Sequence, residues 1–235
     1  MALILNIETT AEVCSVVLSK DGEVLQHRED REGRSHAKQL SVFIKEIMEE
    51  VSIVASDLDA VSISEGPGSY TGLRIGVSTA KGLCYGASLF LISVPTLQAL
   101  TQGLLNQKHQ IKGSIKDDDI LVPMIDARRM EVYTAMFNSR NEYLKEAEPV
   151  ILDENSFKDI LEKQRVIFFG NGAEKAKKVI HHQNACFVNS VDFSALHMIS
   201  LSEQKFKNRI FEDIAYFEPF YLKDFQTTTP RNKIL

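Results

Sequence analysis

The sequence predicts an α/β protein made of two blocks, each with a mixed sheet. Strand-like segments alternate with amphipathic helical segments in the first block, whose first three strands follow one another directly. A polar stretch at residues 107–119 then separates this block from a second strand-rich block. At 235 residues, the chain is long enough for one large or two small domains. We therefore expect a lobe at 1–106, a linker or surface loop at 107–119 and a lobe at 120–235, whose last part can pack back on the first lobe.

Three short strands are predicted at the start of the chain, at residues 3–7, 13–19 and 23–28. Asp21 and Gly22 between the second and third form a typical hairpin turn. Sequential strands joined by tight turns indicate an antiparallel beginning of the first sheet.

A helix of about 15 residues is predicted after these strands, with Ser35 as its N-cap. Apolar residues recur at spacings of three and four, whereas the charged residues fall between them; the apolar set is Leu40, Phe43, Ile44, Ile47, Met48 and Val51. A strand at 60–64, a second helix ending near Tyr85 and a strand at 89–94 complete the block. In the second block, strands are predicted at 120–126, 131–138 and 166–170.

The composition indicates an ordinary globular protein, because 44% of the residues are apolar, 25% are charged and there are only 12 Gly and 6 Pro. The net charge of −5 leaves no chain-wide positive field for a phosphate backbone. A nucleic-acid partner would need a local basic patch or another subunit.

The three cysteines are far apart and contain no C-x-x-C pair, which argues against a disulfide framework or a structural zinc site. No apolar run approaches the ~18 residues of a membrane span, and no basic residues precede the apolar patch at 3–7. We expect a cytoplasmic protein that does not bind membranes.

Six of the 12 glycines lie between residues 66 and 86, at the turn and helix that follow the fourth strand. The segment Gly-Pro-Gly-Ser-Tyr-Thr-Gly fits neither G-x-G-x-x-G nor a P-loop. Gly66 and Gly68 could still direct backbone N–H groups at a phosphate, or they could simply form a tight turn. Glu8 and Thr9, after the first strand, could position a phosphate or a metal-bound water, or they could cap the strand end.

Small residues share one face of the glycine-rich helix, where each glycine costs ~1 kcal/mol relative to alanine. Gly72, Gly76 and Ala80 follow one another at spacings of four, with Arg74 on the narrow polar side. This face could pack on the protein's own sheet or first helix, or on another chain. We expect it to form an interface with a partner or a second copy, together with Arg74 and with the first-helix residues Leu40, Phe43 and Ile47.

Other motifs for catalysis are weak. No two histidines have the helical spacing of a zincin site, and no G-x-S-x-G elbow is present. Asp126 is followed closely by Arg128 and Arg129, which form either an ion pair within the chain or part of a site.

Taken together, four segments resemble the bacterial TsaB (YeaZ) family, whose members take part in synthesis of the threonylcarbamoyladenosine modification of tRNA. They are GPGSYTGLRIGVSTAKGLCYG at 66–86, ILNIETT at 4–10, IDARRMEVY at 125–133 and PFYLK at 219–223. The family usually has Asp-Thr-Ser where this chain has Glu8, Thr9 and Thr10, and Arg where it has Lys223. The first difference weakens a phosphate or metal role for Glu8.

The resemblance implies an actin-like ATPase fold with two RNase-H-like lobes, the second reduced, and kinship to the catalytic protein TsaD. In TsaD-like proteins a His-x-x-x-His pair holds a metal, and the matching residues here are Thr96 and Leu100. Neither side chain offers an imidazole nitrogen. The resemblance therefore implies a non-catalytic subunit that activates a TsaD-like paralogue, without a metal or cofactor of its own.

The expected partners are that paralogue, a TsaE-like ATPase reached through the complex, a second copy of the chain when the paralogue is absent, and tRNA mainly through the paralogue. The segment 226–235, which contains Arg231 and Lys233, is either a basic arm or a disordered tail. An autonomous ATP-using phosphotransferase or a peptidase stays open as the alternative function.

Overall fold

The computed structural model describes residues 2–31, 36–107, 114–189 and 191–223. Its first sheet contains β1 (Leu3–Glu8), β2 (Cys14–Lys20), β3 (Glu23–Asp30), β4 (Ala60–Gly66) and β5 (Phe90–Pro95) in the order β3-β2-β1-β4-β5. The first three strands are antiparallel, as their tight turns predict, and β1, β4 and β5 run parallel. The predicted N-cap of the first helix, Ser35, lies outside the described residues.

Helices cover both faces of this sheet, which explains why β1 and β4 are buried almost throughout. On one face, α1 (His36–Val51) and α2 (Tyr70–Ala87) bury their apolar sides in a core that includes Leu5 and Val61. On the other face, a 3-10 turn at Ala195–Met198 packs with Ala2, Ile4 and Ile92 in a second core.

The second sheet repeats the topology of the first. It contains β6 (Ile120–Asp126), β7 (Glu131–Phe137), β8 (Tyr143–Ile151), β9 (Val166–Phe169) and β10 (Ala185–Val188) in the order β10-β9-β6-β7-β8. Again the first three strands are antiparallel and the remaining two are parallel to the first. The expected reduction of this lobe concerns its helices: α4 (Lys158–Leu161) has four residues and α5 (Ala173–Val179) has seven.

One long helix, α3 (Thr96–Asn106), was not predicted from the sequence. Seven of its 11 residues are buried, since it contacts β4 and β5 of the first lobe and β6 of the second. Two of the buried residues are threonines, and the Thr101 hydroxyl donates a hydrogen bond to the Leu97 carbonyl at 2.9 Å. The less buried side of α3 carries Gln98, Gln102 and Asn106 at spacings of four, so the sequence did contain a helical pattern here.

The C-terminal part of the chain returns to the first lobe. The helix α6 (Ile199–Lys207) contacts β1 and β5, and residues 210–223, which we call the strap, continue along the same lobe. The strap begins with a bridge in which Glu212 N donates to the Leu91 carbonyl at 2.8 Å. The part of the chain after β10 therefore packs largely on the first lobe.

Within the described ranges, no helix combines the length and apolar character needed to cross a membrane.

Candidate functional site

A cleft of about 730 Å³ lies between the two lobes. Four chain segments supply most of its lining, namely the turn after β1, the start of α2, the β6–β7 turn and the end of the strap, and Asn171 after β9 completes it. Tyr70, Tyr133 and Tyr221 supply aromatic surface, and Arg128 and Lys223 supply positive charge. These four segments overlap or adjoin the four motifs that carry the family resemblance.

The glycines at the start of α2 permit close contacts between backbone segments. Gly66 has φ of +119°, and a Cβ there would lie 2.5 Å from the Phe220 carbonyl oxygen. A Cβ on Gly68 would lie 2.5 Å from the Thr10 carbonyl oxygen. The structure thus supports the tight-turn alternative, because both glycines pack closely against carbonyl groups of other segments and Gly66 N donates to the Thr96 hydroxyl at 3.1 Å.

Glu8 and Thr9 also have partners within the chain. Glu8 is 1% exposed, and its Oε1 accepts from Thr10 N at 2.6 Å and from the Thr10 hydroxyl at 2.5 Å. The Thr9 hydroxyl donates to the Gly72 carbonyl at 2.9 Å. Of the four predicted phosphate-binding residues, only Gly68 lines the cleft, so the structure does not bring the four together around one phosphate.

An aromatic and cationic contact joins α2 to the strap at one side of the cleft. The rings of Tyr70 and Tyr221 have centroids 5.0 Å apart, and the Arg74 guanidinium lies 4.4 Å above the Tyr70 ring. Arg74 Nε also donates to the Tyr221 hydroxyl at 3.4 Å. Arg74, a predicted interface residue, is exposed. Its guanidinium nevertheless contacts Tyr70 and Tyr221 of the same chain.

The β6–β7 turn forms the opposite side of the cleft, and here the predicted ion pair is corrected. The Asp126 carboxylate pairs with Lys175 at 2.6 Å, whereas Arg128 contributes only its backbone N–H, at 2.7 Å. The side chain of Glu131 pairs with Lys223 of the strap. Both carboxylates therefore have a lysine partner from another element of the chain.

The predicted interface of small residues is corrected as well, since most of its members are buried in the protein's own core. A Cβ on Gly72 would lie 2.0 Å from the Thr9 carbonyl oxygen, and one on Gly76 would lie 2.3 Å from the Thr9 hydroxyl. The other buried members are Leu40, Ile47 and Ala80, while Phe43 is half-buried. The glycine face therefore packs on β1 and β4, which is the alternative within the chain.

A different row of small residues on α2 faces outward: Ser78, Gly82 and Gly86. No atom lies within 4 Å of a Cβ built on Gly82 or Gly86. Tyr85 beside them is 84% exposed. Sequence reasoning counted these glycines but could not assign them to the outer face.

Thr96 and Leu100, which replace the histidine pair of TsaD-like proteins, are both 1% exposed. The Thr96 hydroxyl accepts from Gly66 N at 3.1 Å, and Leu100 packs in the core of the second lobe. Both side chains thus have structural roles. Within the described ranges, no group of three or more His, Cys, Asp or Glu residues could hold a metal ion.

The sequence allows the last part of the chain to pack back on the first lobe, but it does not identify the strap's partners Tyr70 and Glu131. The motif that contains Pro219 and Lys223 was the available signal, but it showed only that the segment belongs to a family pattern. Nothing in the spacing along the chain indicates that a segment after α6 reaches the β6–β7 turn, almost a hundred residues earlier.

Comparisons with known proteins agree with the family resemblance of the four motifs. A family model described as TsaD: tRNA N6-adenosine threonylcarbamoyltransferase matches residues 27–231. The tRNA threonylcarbamoyladenosine biosynthesis protein TsaB of Escherichia coli K12 is 37% identical over 134 residues, 57% of this chain and 54% of that protein. TsaB of Bacillus subtilis 168 is 28% identical over 75% of this chain and 74% of that protein. The chain thus spans about half the length of the E. coli relative.

Two solved structures from Pseudomonas aeruginosa share the architecture. One, an uncharacterized protein with similarity to peptidase YEAZ, has a TM-score of 0.81 and 22% identity, and covers 95% of this chain and 100% of that one. The other, described as YeaZ, has a TM-score of 0.78 at 22% identity, with 94% and 100% covered. At this identity the likeness concerns the fold alone, and it agrees with the predicted actin-like class of two lobes with mixed sheets.

Proposed function

The chain belongs to the family described as TsaD: tRNA N6-adenosine threonylcarbamoyltransferase, and from this premise we propose that it is a non-catalytic subunit that activates a TsaD-like paralogue. The reaction it serves is transfer of a threonylcarbamoyl group to the adenosine next to the anticodon, in tRNAs that read codons beginning with A. The names of the TsaB relatives support a place in this biosynthesis.

The observation that carries the proposal is the environment of Thr96 and Leu100. Both are buried and engaged in the protein's own packing, where the catalytic relatives are expected to have metal-binding histidines. A hydroxyl that already accepts a hydrogen bond and an aliphatic side chain cannot replace two imidazoles. The proposal includes no cofactor held by this chain, and an autonomous phosphotransferase or peptidase is not favoured.

The proposed contact with the paralogue lies on the outward side of α1 and α2. Each helical glycine costs ~1 kcal/mol relative to alanine, and neither Gly82 nor Gly86 gains an internal contact in return. The row Ser78, Gly82 and Gly86 would let a helix of another chain approach closely. Half-buried Phe43, Ile75 and Leu83 add apolar surface to this side.

The same surface would serve a second copy of the chain when the paralogue is absent, so homodimer and heterodimer would compete. A TsaE-like ATPase would join through the complex. The net charge of −5 supports placing the main tRNA contact on the paralogue.

The proposed activity is tested by threonylcarbamoyl transfer to tRNA in purified mixtures. We expect no transfer by this chain alone, slow transfer by the TsaD-like protein with its other components, and faster transfer once this chain is added. Transfer by the isolated chain would overturn the proposal, as would an unchanged rate on its addition.

The proposed surface is tested by Gly82→Leu, which adds volume where two helices should meet. Overpacking of ~1–3 kcal/mol corresponds to binding that is roughly five- to over a hundredfold weaker. Lys178→Leu, on the exposed side of α5 in the other lobe, is the matched control for an added surface leucine. Equal affinity of both variants for the paralogue, measured by calorimetry on folded proteins, would remove this surface from the proposal.

A further inference from the structure

The strap, residues 210–223, holds the first lobe at several successive points. After the bridge from Glu212 to Leu91, the Lys81 ammonium on α2 donates to the carbonyls of Ala215, at 3.2 Å, and Phe217, at 3.0 Å. Further on, Phe220 N donates to the Glu65 carbonyl at 2.7 Å. The strap therefore follows α2 back toward the start of that helix.

The end of the strap leaves the first lobe and reaches the second. Tyr221 still contacts Tyr70 on α2, but two residues later the Lys223 ammonium pairs with Glu131 at the β6–β7 turn. Both Tyr221 and Lys223 line the cleft. The strap thus spans the mouth of the cleft, with hydrogen bonds on one side and a salt bridge on the other.

We propose that the strap is a latch that sets how far the cleft opens and that couples α2 to the β6–β7 turn. Its fixed points are the lysine of α2, the Glu65 carbonyl and the side chain of Glu131. When Lys223 separates from Glu131, the second lobe loses a tie to the strap and the cleft widens. When Lys81 releases the carbonyls of Ala215 and Phe217, the strap is free to move along α2 as one piece, and the contact with Glu131 weakens.

Close packing in the middle makes the strap act as one piece. The Phe220 carbonyl oxygen lies against Gly66, where any side chain would collide with it. Ile214 and Phe217 pack against the core of the first lobe. A shift at either end of the strap is therefore transmitted through a segment with little room to bend. The inference goes beyond the proposed function and does not depend on it, because it concerns the isolated chain.

Hydrogen exchange of the isolated chain, followed by mass spectrometry, tests the latch at both ends. The variants Glu131→Gln and Lys223→Met remove the salt bridge, and Lys81→Met releases the other end. The matched controls are Glu142→Gln, from the exposed pair with Arg140 at 3.1 Å, and Lys45→Met, from the exposed pair with Glu49 at 3.6 Å on α1.

Loss of the partly exposed salt bridge should speed exchange in residues 126–131 and at Phe220 by roughly two- to fivefold. Lys81→Met should speed exchange at residues 126–131 as well, although it lies on the other lobe, and the controls should leave these amides unchanged. Unchanged exchange in both salt-bridge variants would overturn the latch. A Lys81→Met effect confined to residues 213–217 would overturn the coupling. Lys223→Met, at a half-exposed position, keeps the test decisive if Glu131→Gln fails to fold.

Discussion

Two carboxylates of the first lobe, Glu8 and Glu29, have surroundings that move their pKa values in opposite directions. Burial raises the pKa of the Glu8 carboxyl, although hydrogen bonds from Thr10 oppose the shift. Burial also acts on Glu29, but there hydrogen bonds from His27, Ser194 and Arg31 outweigh it and lower the pKa to about 2. The two residues therefore predict opposite dependences of stability on pH.

The Glu8→Gln variant should be more stable than the wild type at alkaline pH. Because the folded state holds the Glu8 proton more tightly than the unfolded state, the free energy of unfolding falls as pH rises above the usual pKa of 4.5. Glutamine keeps an oxygen for Thr10 N and removes the buried charge. We expect the melting temperature to rise at pH 8, by about 2–4 °C per kcal/mol recovered, and the gain to vanish near pH 4. An equal loss at both pH values would contradict a raised pKa.

The Glu29→Gln variant should instead lose stability at neutral pH, by about 1–3 kcal/mol. Since the folded pKa of about 2 lies below the usual 4.5, the stabilisation is complete above pH 4.5 and is lost as pH falls toward 2. Urea denaturation of both proteins should show a large difference at pH 6 and a smaller one at pH 3.5. A difference that does not depend on pH would mean that the loss comes from packing rather than from charge.

At the scale of an element, α2 carries small residues on two faces that have different roles. Gly72, Gly76 and Ala80 bring the helix close to β1 and β4, whereas Gly82 and Gly86 have open space. The sequence predicts the helix and indicates that tertiary packing must offset the cost of its glycines. However, the face assigned to another chain, with Gly72, Gly76 and Ala80, is the one buried within the protein. A matched pair of alanine variants separates the two faces.

Gly76→Ala should destabilise the protein and Gly82→Ala should stabilise it. A Cβ at residue 76 would lie 2.3 Å from the Thr9 hydroxyl and 2.8 Å from the Ile63 Cδ1, so something must shift, at ~1–3 kcal/mol. At residue 82 the methyl group meets nothing, so the full helix propensity of ~1 kcal/mol is gained. Thermal unfolding of both variants measures the two signs. Equal effects would refute the assignment of the faces.

For the whole molecule, the charge balance predicts weak binding of tRNA by the isolated chain. With a net charge of −5, we expect a Kd no tighter than the ~10⁻⁴–10⁻⁶ M of non-specific binding at physiological salt. Fluorescence titration at several salt concentrations measures this, with the TsaD-like complex as the positive control. Submicromolar binding that weakens steeply with salt would place an RNA surface on this chain. Deleting residues 226–235 then tests the predicted basic arm.

Much of the fold could be predicted from the sequence alone, because strand and helix periodicity are local properties. The strands at 120–126 and 131–138 and the helices α1 and α2 agree with the structure within a few residues, and the family resemblance is confirmed. By contrast, α3 was not predicted, although Gln98, Gln102 and Asn106 recur at spacings of four on its less buried side.

The sequence by itself determined the order of the elements from β1 to β5, the family, and the absence of histidines at Thr96 and Leu100. Only the tertiary structure decided which side of α2 is buried, because Gly72 and Gly82 differ in their surroundings and not in their local sequence pattern. Tertiary structure alone also placed Lys223 beside Glu131, 92 residues apart in the chain. Spacing along a chain specifies which residues share a face of one element, whereas contacts between distant elements depend on how the two lobes and the strap pack together.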